Sequence, residues 1–194
     1  MRLLAFSALL FLAALSGMDA QPAQPARGPT VETSGPAFCK QVEKETFLLI
    51  NQYRKENDFA PLAWDEEIAK TARAHSKVMA SGGDFGHDGF NDRISHLRET
   101  MPGIWGAGEN VLYCSDLNDV AQHALQMWLH SPHHLRNIRG DYSHSGLGVW
   151  QDKDGTIYFT QIFVKIKPLT QETQAAPASG AAPFTGLFAN PETR

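Results

Sequence analysis

Three histidines crowd the stretch "WLHSPHHLRNI" at residues 128–138: His130, His133 and His134, with Ser131 and Pro132 between the first two. Two imidazoles four residues apart on one helix would share a face and could grip a metal such as zinc. Pro132 argues against that geometry. It has no amide hydrogen, so it ends one helix and suits the first position of the next, with Ser131 as the cap. His130 and His134 then need not stack, and His133 is expected to face solvent. Two cysteines, Cys39 and Cys114, are the remaining soft nucleophiles. No glycine-x-serine-x-glycine elbow, phosphate-binding loop or histidine-glutamate-x-x-histidine motif is present, so no motif names a covalent nucleophile.

The elements that must position these groups follow from periodicity. Val42, Leu49, Ile50 and Tyr53 recur at helical spacing and predict a helix over 39–57. "DFAPLAW" reads as a loop. Asp65 caps a second helix, with Glu66 and Glu67 at its positive end. Ile68, Ala72, His75 and Met79 share one face of it, which makes His75 a hydrogen-bonded core residue more readily than a ligand. "SGG" at 81–83 stops this helix. "DFGHDGFNDR" is loop-like, and a short helix over 92–100 follows, with His96 facing solvent. "GENVLYC" is a strand. Asp116 with Asp119 caps a third long helix ending near Leu129, whose buried side is Val120, Ala124, Met127 and Trp128, with His123 on its flank. "SGLGVWQ" and "TIYFTQIFVKI" are strands joined by a "DKDG" hairpin turn. Helices flanking a small sheet give an α+β fold, a three-layer α-β-α sandwich.

The chain divides into four stretches. Residues 1–20 read as a signal peptide: Arg2, an apolar run from Leu3 to Leu15, then small residues. The run is short for a membrane span, so no stable span is expected after cleavage. Residues 21–36 are a flexible linker, 37–169 one domain, and 170–194 an Ala/Pro-rich tail interrupted by Phe184, Leu187 and Phe188. A net charge of −4, with no basic cluster, argues against nucleic acid as a partner. Export to a secreted or periplasmic location makes a Cys39–Cys114 disulfide the leading reading, worth about 4 kcal/mol on a chain-entropy account. The alternative is a reactive thiol at Cys114.

Taken in order, "LLINQYR", "LAWDEEIAKTARAHSKVMA", "GHDGFNDRI", "GAGENV", "WLHSPHHLRNI", "GLGVW" and "YFTQIF" resemble the CAP superfamily. That superfamily holds the cysteine-rich secretory proteins, antigen five and the class-one pathogenesis-related proteins. The "SPHH" turn is similar to the bacterial secreted branch. The resemblance implies a mainly antiparallel central sheet and a cleft with polar groups. By motif, it implies His87 of "GHD", Glu109 of "GEN" and His134 of the turn as cleft residues. The second glutamate and second histidine of the animal and plant tetrad fall at Ser131 and Tyr158, where this chain departs from the pattern.

The implied cluster supports three chemistries. His87, Glu109 and His134 could hold a divalent metal such as zinc with one position open, and His144 could add a ligand. Glu109 could orient a histidine as general base in a hydrolase acting on peptide or envelope polymer. The same residues could form a purely stabilising or adhesive network. Tyr158 and Asp88 are supporting candidates, while Arg93 and Asn137 tie loops together. The resemblance implies a lipid, small ligand or envelope component as partner, and binding at this cleft is the expectation carried forward.

Overall fold

The computed structural model of the chain describes residues 34–115 and 118–167. Among these residues the elements run α1 (Gly35–Glu56), β1 (Ala63–Trp64), α2 (Glu66–Ala80), α3 (Phe90–Thr100), β2 (Ile104–Cys114), α4 (Val120–Leu129), α5 (Pro132–Ile138), β3 (His144–Gln151) and β4 (Ile157–Ile166). The expected leader, the tail and the Asp116 cap lie outside the described residues.

The strands form one sheet in the order β1-β3-β4-β2. Among the described strands only β1 is parallel to its neighbour, through Ala63↔His144 and Trp64↔Ser145. The sheet is thus mainly antiparallel, and the sandwich expected from the sequence is the observed fold. β1 went unread because two residues carry no alternation. Along β4 the side chains part by parity. Ile157, Phe159 and Phe163 enter a core with α1 and α4. Ile162 and Val164 enter a second core with α2 and α3.

The "SGLGVW" strand owes its glycines to α2. A Cβ on Gly146 would stand 2.1 Å from the Ala69 nitrogen, and one on Gly148 would stand 2.0 Å from the Arg73 nitrogen. The helix backbone rests directly on β3, where any larger residue would hold it off. Ser76 Oγ completes the contact, donating to the Gly148 carbonyl at 2.9 Å. Asp65 caps α2 as expected, its carboxylate accepting from the Glu67 and Ile68 amides at 2.9 and 3.0 Å.

Four local expectations are corrected. α1 begins at Gly35, inside the expected linker, because Pro36 fits the first helical turn. Asp119 stands at the α4 N-cap in left-handed backbone with φ 49°, and its side chain makes no cap bond. Met127 is 42 % exposed because α4 turns that flank away from the core. The expected disulfide is not formed. Cys39 and Cys114 share one core, but Cys39 meets the Gln151 backbone on β3, whereas Cys114 sits on β2 with β4 between. Burial pushes the Cys39 thiol above its ordinary pKa, which disfavours the nucleophilic thiolate.

Candidate functional site

The "GEN" triplet divides its polar groups between the two faces of β2. Asn110 points toward α5, donating to the His134 carbonyl at 3.2 Å and accepting from Asn137 at 2.8 Å. Asn137 also donates to the Glu109 carbonyl at 3.0 Å. This fixes α5, and with it His134, against the sheet edge. Glu109 points the other way, toward α3, with a side chain only 2 % exposed.

A buried carboxylate needs partners, and Glu109 accepts three hydrogen bonds from two residues. Arg93 from α3 donates through Nε to Oε2 at 2.9 Å and through Nη2 to Oε1 at 2.8 Å. His87 lies 3.0 Å away through Nδ1. The third Arg93 nitrogen, Nη1, donates to the Asp88 carbonyl at 2.7 Å and lies 3.3 Å from His75 Nδ1. His75 Nε2 in turn meets the Gly86 carbonyl at 2.9 Å. The partners assign the tautomers. His75 carries its proton on Nε2, donates to Gly86 and accepts from Arg93. His87 carries its proton on Nδ1 and donates to Glu109, which leaves its Nε2 lone pair pointing outward from a half-exposed ring.

That lone pair opens on a groove of about 480 Å³ along the outer edge of β2. Phe85, Gly86 and His87 form one bank, Val111, Leu112 and Tyr113 the floor, and Met127 and His134 the other bank. Burial, then the proximity of the His87 and His133 rings, holds the His134 imidazole below its ordinary pKa, which favours the neutral ring. Phe85 and Tyr113 meet edge to face at 5.0 Å and stay about half exposed, at 49 % and 53 %.

The three residues named by motif therefore gather at one place, with His87 and Glu109 in direct contact and His134 across the groove. The others do not join them. His144 begins β3, with β4 between it and β2, and its Nδ1 meets the Ser143 hydroxyl at 3.0 Å. The Tyr158 ring centroid lies 6.0 Å from that of Tyr113, and Tyr158 lines a separate depression with Ser81 and Asp152. Asp88 contributes its carbonyl, not its carboxylate. His96, His130 and His133 are exposed, which answers the crowding in "HSPHH": of its three histidines, His134 alone turns to the groove. Ser131 occupies the α5 N-cap position but makes no side-chain cap bond. Sequence reasoning placed His75 in the core correctly but missed its link to Arg93. Residues 75 and 93 lie on different helices, so no spacing rule connects them.

Glu109 is not free to ligate a divalent metal. Both Glu109 oxygens are held by the Arg93 guanidinium, which would itself repel a cation. Among the described residues no group of three or more His, Cys, Asp or Glu side chains is placed to hold one.

The model of the cysteine-rich secretory protein family, CAP, matches residues 47–163, and the chain belongs to this family. Among curated proteins it is 33 % identical over 126 residues to the uncharacterized membrane protein YlbC of Bacillus subtilis, covering 63 % of this chain and 34 % of that one. It is 27 % identical over 135 residues to the uncharacterized protein YkwD of the same organism, covering 68 % of this chain and 50 % of that one. The chain thus spans between a third and a half of the length of these relatives. A solved extracellular SCP-domain protein of Bacillus anthracis is similar with TM-score 0.57 and 30 % identity, over 68 % of this chain and 45 % of that one. An outer surface protein of Borrelia burgdorferi shares the fold with TM-score 0.56 at 21 % identity, over 66 % of this chain and 95 % of that one.

Proposed function

We propose that this CAP-domain protein acts outside the cytoplasm, secreted or periplasmic, and binds a small amphipathic molecule in the β2-edge groove. One observation carries the reading: the groove sets a lone-pair acceptor, His87 Nε2, beside half-exposed apolar side chains at Phe85, Tyr113 and Met127. A ligand with a hydroxyl head and an apolar body satisfies both. The hydroxyl donates to His87, and the body covers surface that water otherwise wets. A carboxylate head meets no unengaged cation at neutral pH, because every nitrogen of Arg93 is already engaged and His134 favours its neutral form. The extracellular setting draws support from the SCP-domain relative of Bacillus anthracis.

The test is a titration of the protein with 1-octanol and with octanoate at pH 7.5, followed through the histidine ring and methionine methyl resonances. Octanol should saturate and octanoate should bind more weakly. His87→Ala should weaken octanol about fivefold, the worth of one hydrogen bond near 1 kcal/mol. Equal, non-saturating responses to both probes would end this reading.

A second reading, hydrolysis of an extracellular or envelope substrate, rests on the same Glu109–His87 pair. A carboxylate that fixes a histidine with its far nitrogen open is a general-base arrangement. Turnover of a peptide or glycan substrate that His87→Ala abolishes, with the fold intact, would favour catalysis over binding.

A further inference from the structure

The groove's apolar rim is left without a partner by the described domain, and the chain itself carries a segment suited to it. Phe85, Tyr113 and Met127, three of the largest exposed apolar side chains, collect at this one place. No Asp, Glu, Lys or Arg lines it. The stretch between Glu172 and Glu192 is equally uncharged, and within it stand Phe184, Leu187 and Phe188. We propose that these three side chains dock intramolecularly in the β2-edge groove, so that the C-terminal segment competes with whatever the groove binds. The proposal deepens the reading of the groove as an apolar ligand site and rests on it.

Where the chain leaves the domain matters as much as its composition. β4 runs antiparallel to the edge strand β2, and Lys167 donates its amide to the Gly103 carbonyl at 3.1 Å. The segment therefore departs beside the first residue of β2, on the sheet edge that the groove follows. From Gly103 to Tyr113 the strand advances roughly 34 Å at ~3.4 Å per residue. Roughly 17 residues separate Lys167 from Phe184. A chain of that length reaches from about 23 Å as a random coil to ~56 Å fully extended. The span is within reach.

Tethering then decides whether a weak contact is populated. A linker of this kind gives an effective concentration on the order of 1 mM. At that value a segment with a dissociation constant of ~0.3 mM is docked about three-quarters of the time. It weakens a competing probe about fourfold.

The test uses the full chain with methyl-labelled methionine. Met127 lies on the groove, whereas Met79 is a buried residue of α2 and serves as an internal control. A triple variant, Phe184→Ser with Leu187→Ser and Phe188→Ser, alters no residue of the folded domain. The Met127 methyl resonance should move between the two proteins while Met79 stays fixed, independently of protein concentration. The affinity for 1-octanol should rise about fourfold in the variant. Superimposable Met127 signals would overturn the proposal. A difference that grows with protein concentration would also overturn it, because the segment would then be seating on a second copy. If Met127 moves but octanol binds neither protein, the docking stands and the ligand reading falls.

Discussion

Glu109→Gln is the substitution that tests the network most directly. It removes one charge and almost no volume. The carboxylate accepts three hydrogen bonds, two from Arg93 and one from His87, at 2.8 to 3.0 Å. An amide has a single oxygen. If that oxygen takes the Oε1 position, the NH₂ group confronts the donating Arg93 Nε. If it takes the Oε2 position, the NH₂ group confronts Arg93 Nη2. One charge-assisted bond is lost in either case, and the 13 %-exposed Arg93 side chain loses its carboxylate partner. A hydrogen bond to a charged group is worth about 1.5–3 kcal/mol, so the expected loss is roughly 2–4 kcal/mol. In urea, with a slope near 1–2 kcal/mol per M, the unfolding midpoint should fall by roughly 2 M. There is also a chemical signature. With NH₂ at the Oε1 position, His87 Nδ1 becomes the acceptor and its proton moves to Nε2. The groove-facing nitrogen then changes from acceptor to donor, which nitrogen-15 spectra of the ring resolve. A midpoint within about 0.3 M of wild type, together with an unchanged His87 tautomer, would refute the closed Arg93–Glu109–His87 network. The same arithmetic removes Glu109→Ala as a clean probe of catalysis, since the loss of stability would confound any loss of turnover.

Three further outcomes follow from the fold. Gly148→Ala places a methyl 2.0 Å from the Arg73 nitrogen and should cost at least 3 kcal/mol by forcing α2 off β3; differential scanning calorimetry measures it, and a change under 1 kcal/mol would contradict the packing. Arg54 is buried and donates to the carbonyls of Ala60, Ile138 and Gly140 at 2.8, 2.6 and 3.0 Å, so Arg54→Ala should cost roughly 3 kcal/mol in urea unfolding and loosen the α5 terminus. His134 has a folded pKa below its unfolded value near 6.5, so the unfolded chain takes up its proton first as pH falls. Its influence on stability is absent above that pH and turns destabilising as pH drops through 6.5 toward the folded pKa; His134→Asn should flatten this part of the stability–pH curve.

The layer architecture was legible because the carriers of the pattern are local. Asp65 before an apolar stripe, Pro132 after Ser131, and the alternating bulk of "TIYFTQIFVKI" each dictate an element within a few residues. The site was legible only in part. His87, Glu109 and His134 were found through motifs, each of which sits on a different element. Arg93 reads from the sequence as a loop tie, and it does tie the "GHD" loop, but its main bond is to Glu109 on β2. His75 reads as core, which it is, yet its bond to Arg93 spans two helices. Neither partnership leaves a trace in spacing, because both are set by how α2 and α3 settle on one sheet face. The disulfide failed for a related reason: compartment and cysteine count say nothing about which strands lie between two thiols. Met127 failed because a helical stripe is an average direction, and residues at its margin are exposed or buried according to what packs beside them.

The sheet's two open margins bear on how this protein behaves in a crowd. On β2 the outward carbonyls of Glu109 and Val111 are already taken by Asn137 Nδ2 at 3.0 Å and Trp128 Nε1 at 3.4 Å. On β3, beyond the two residues that β1 covers, the Val149 amide donates to the buried Glu43 carboxylate at 3.0 Å, and Arg73 clamps that carboxylate from the other side. A strand from a neighbouring molecule finds these ladder positions already occupied by side chains, which disfavours edge-to-edge pairing there. The bonds that seat α1, α4 and α5 on the sheet thus also blunt its margins as templates.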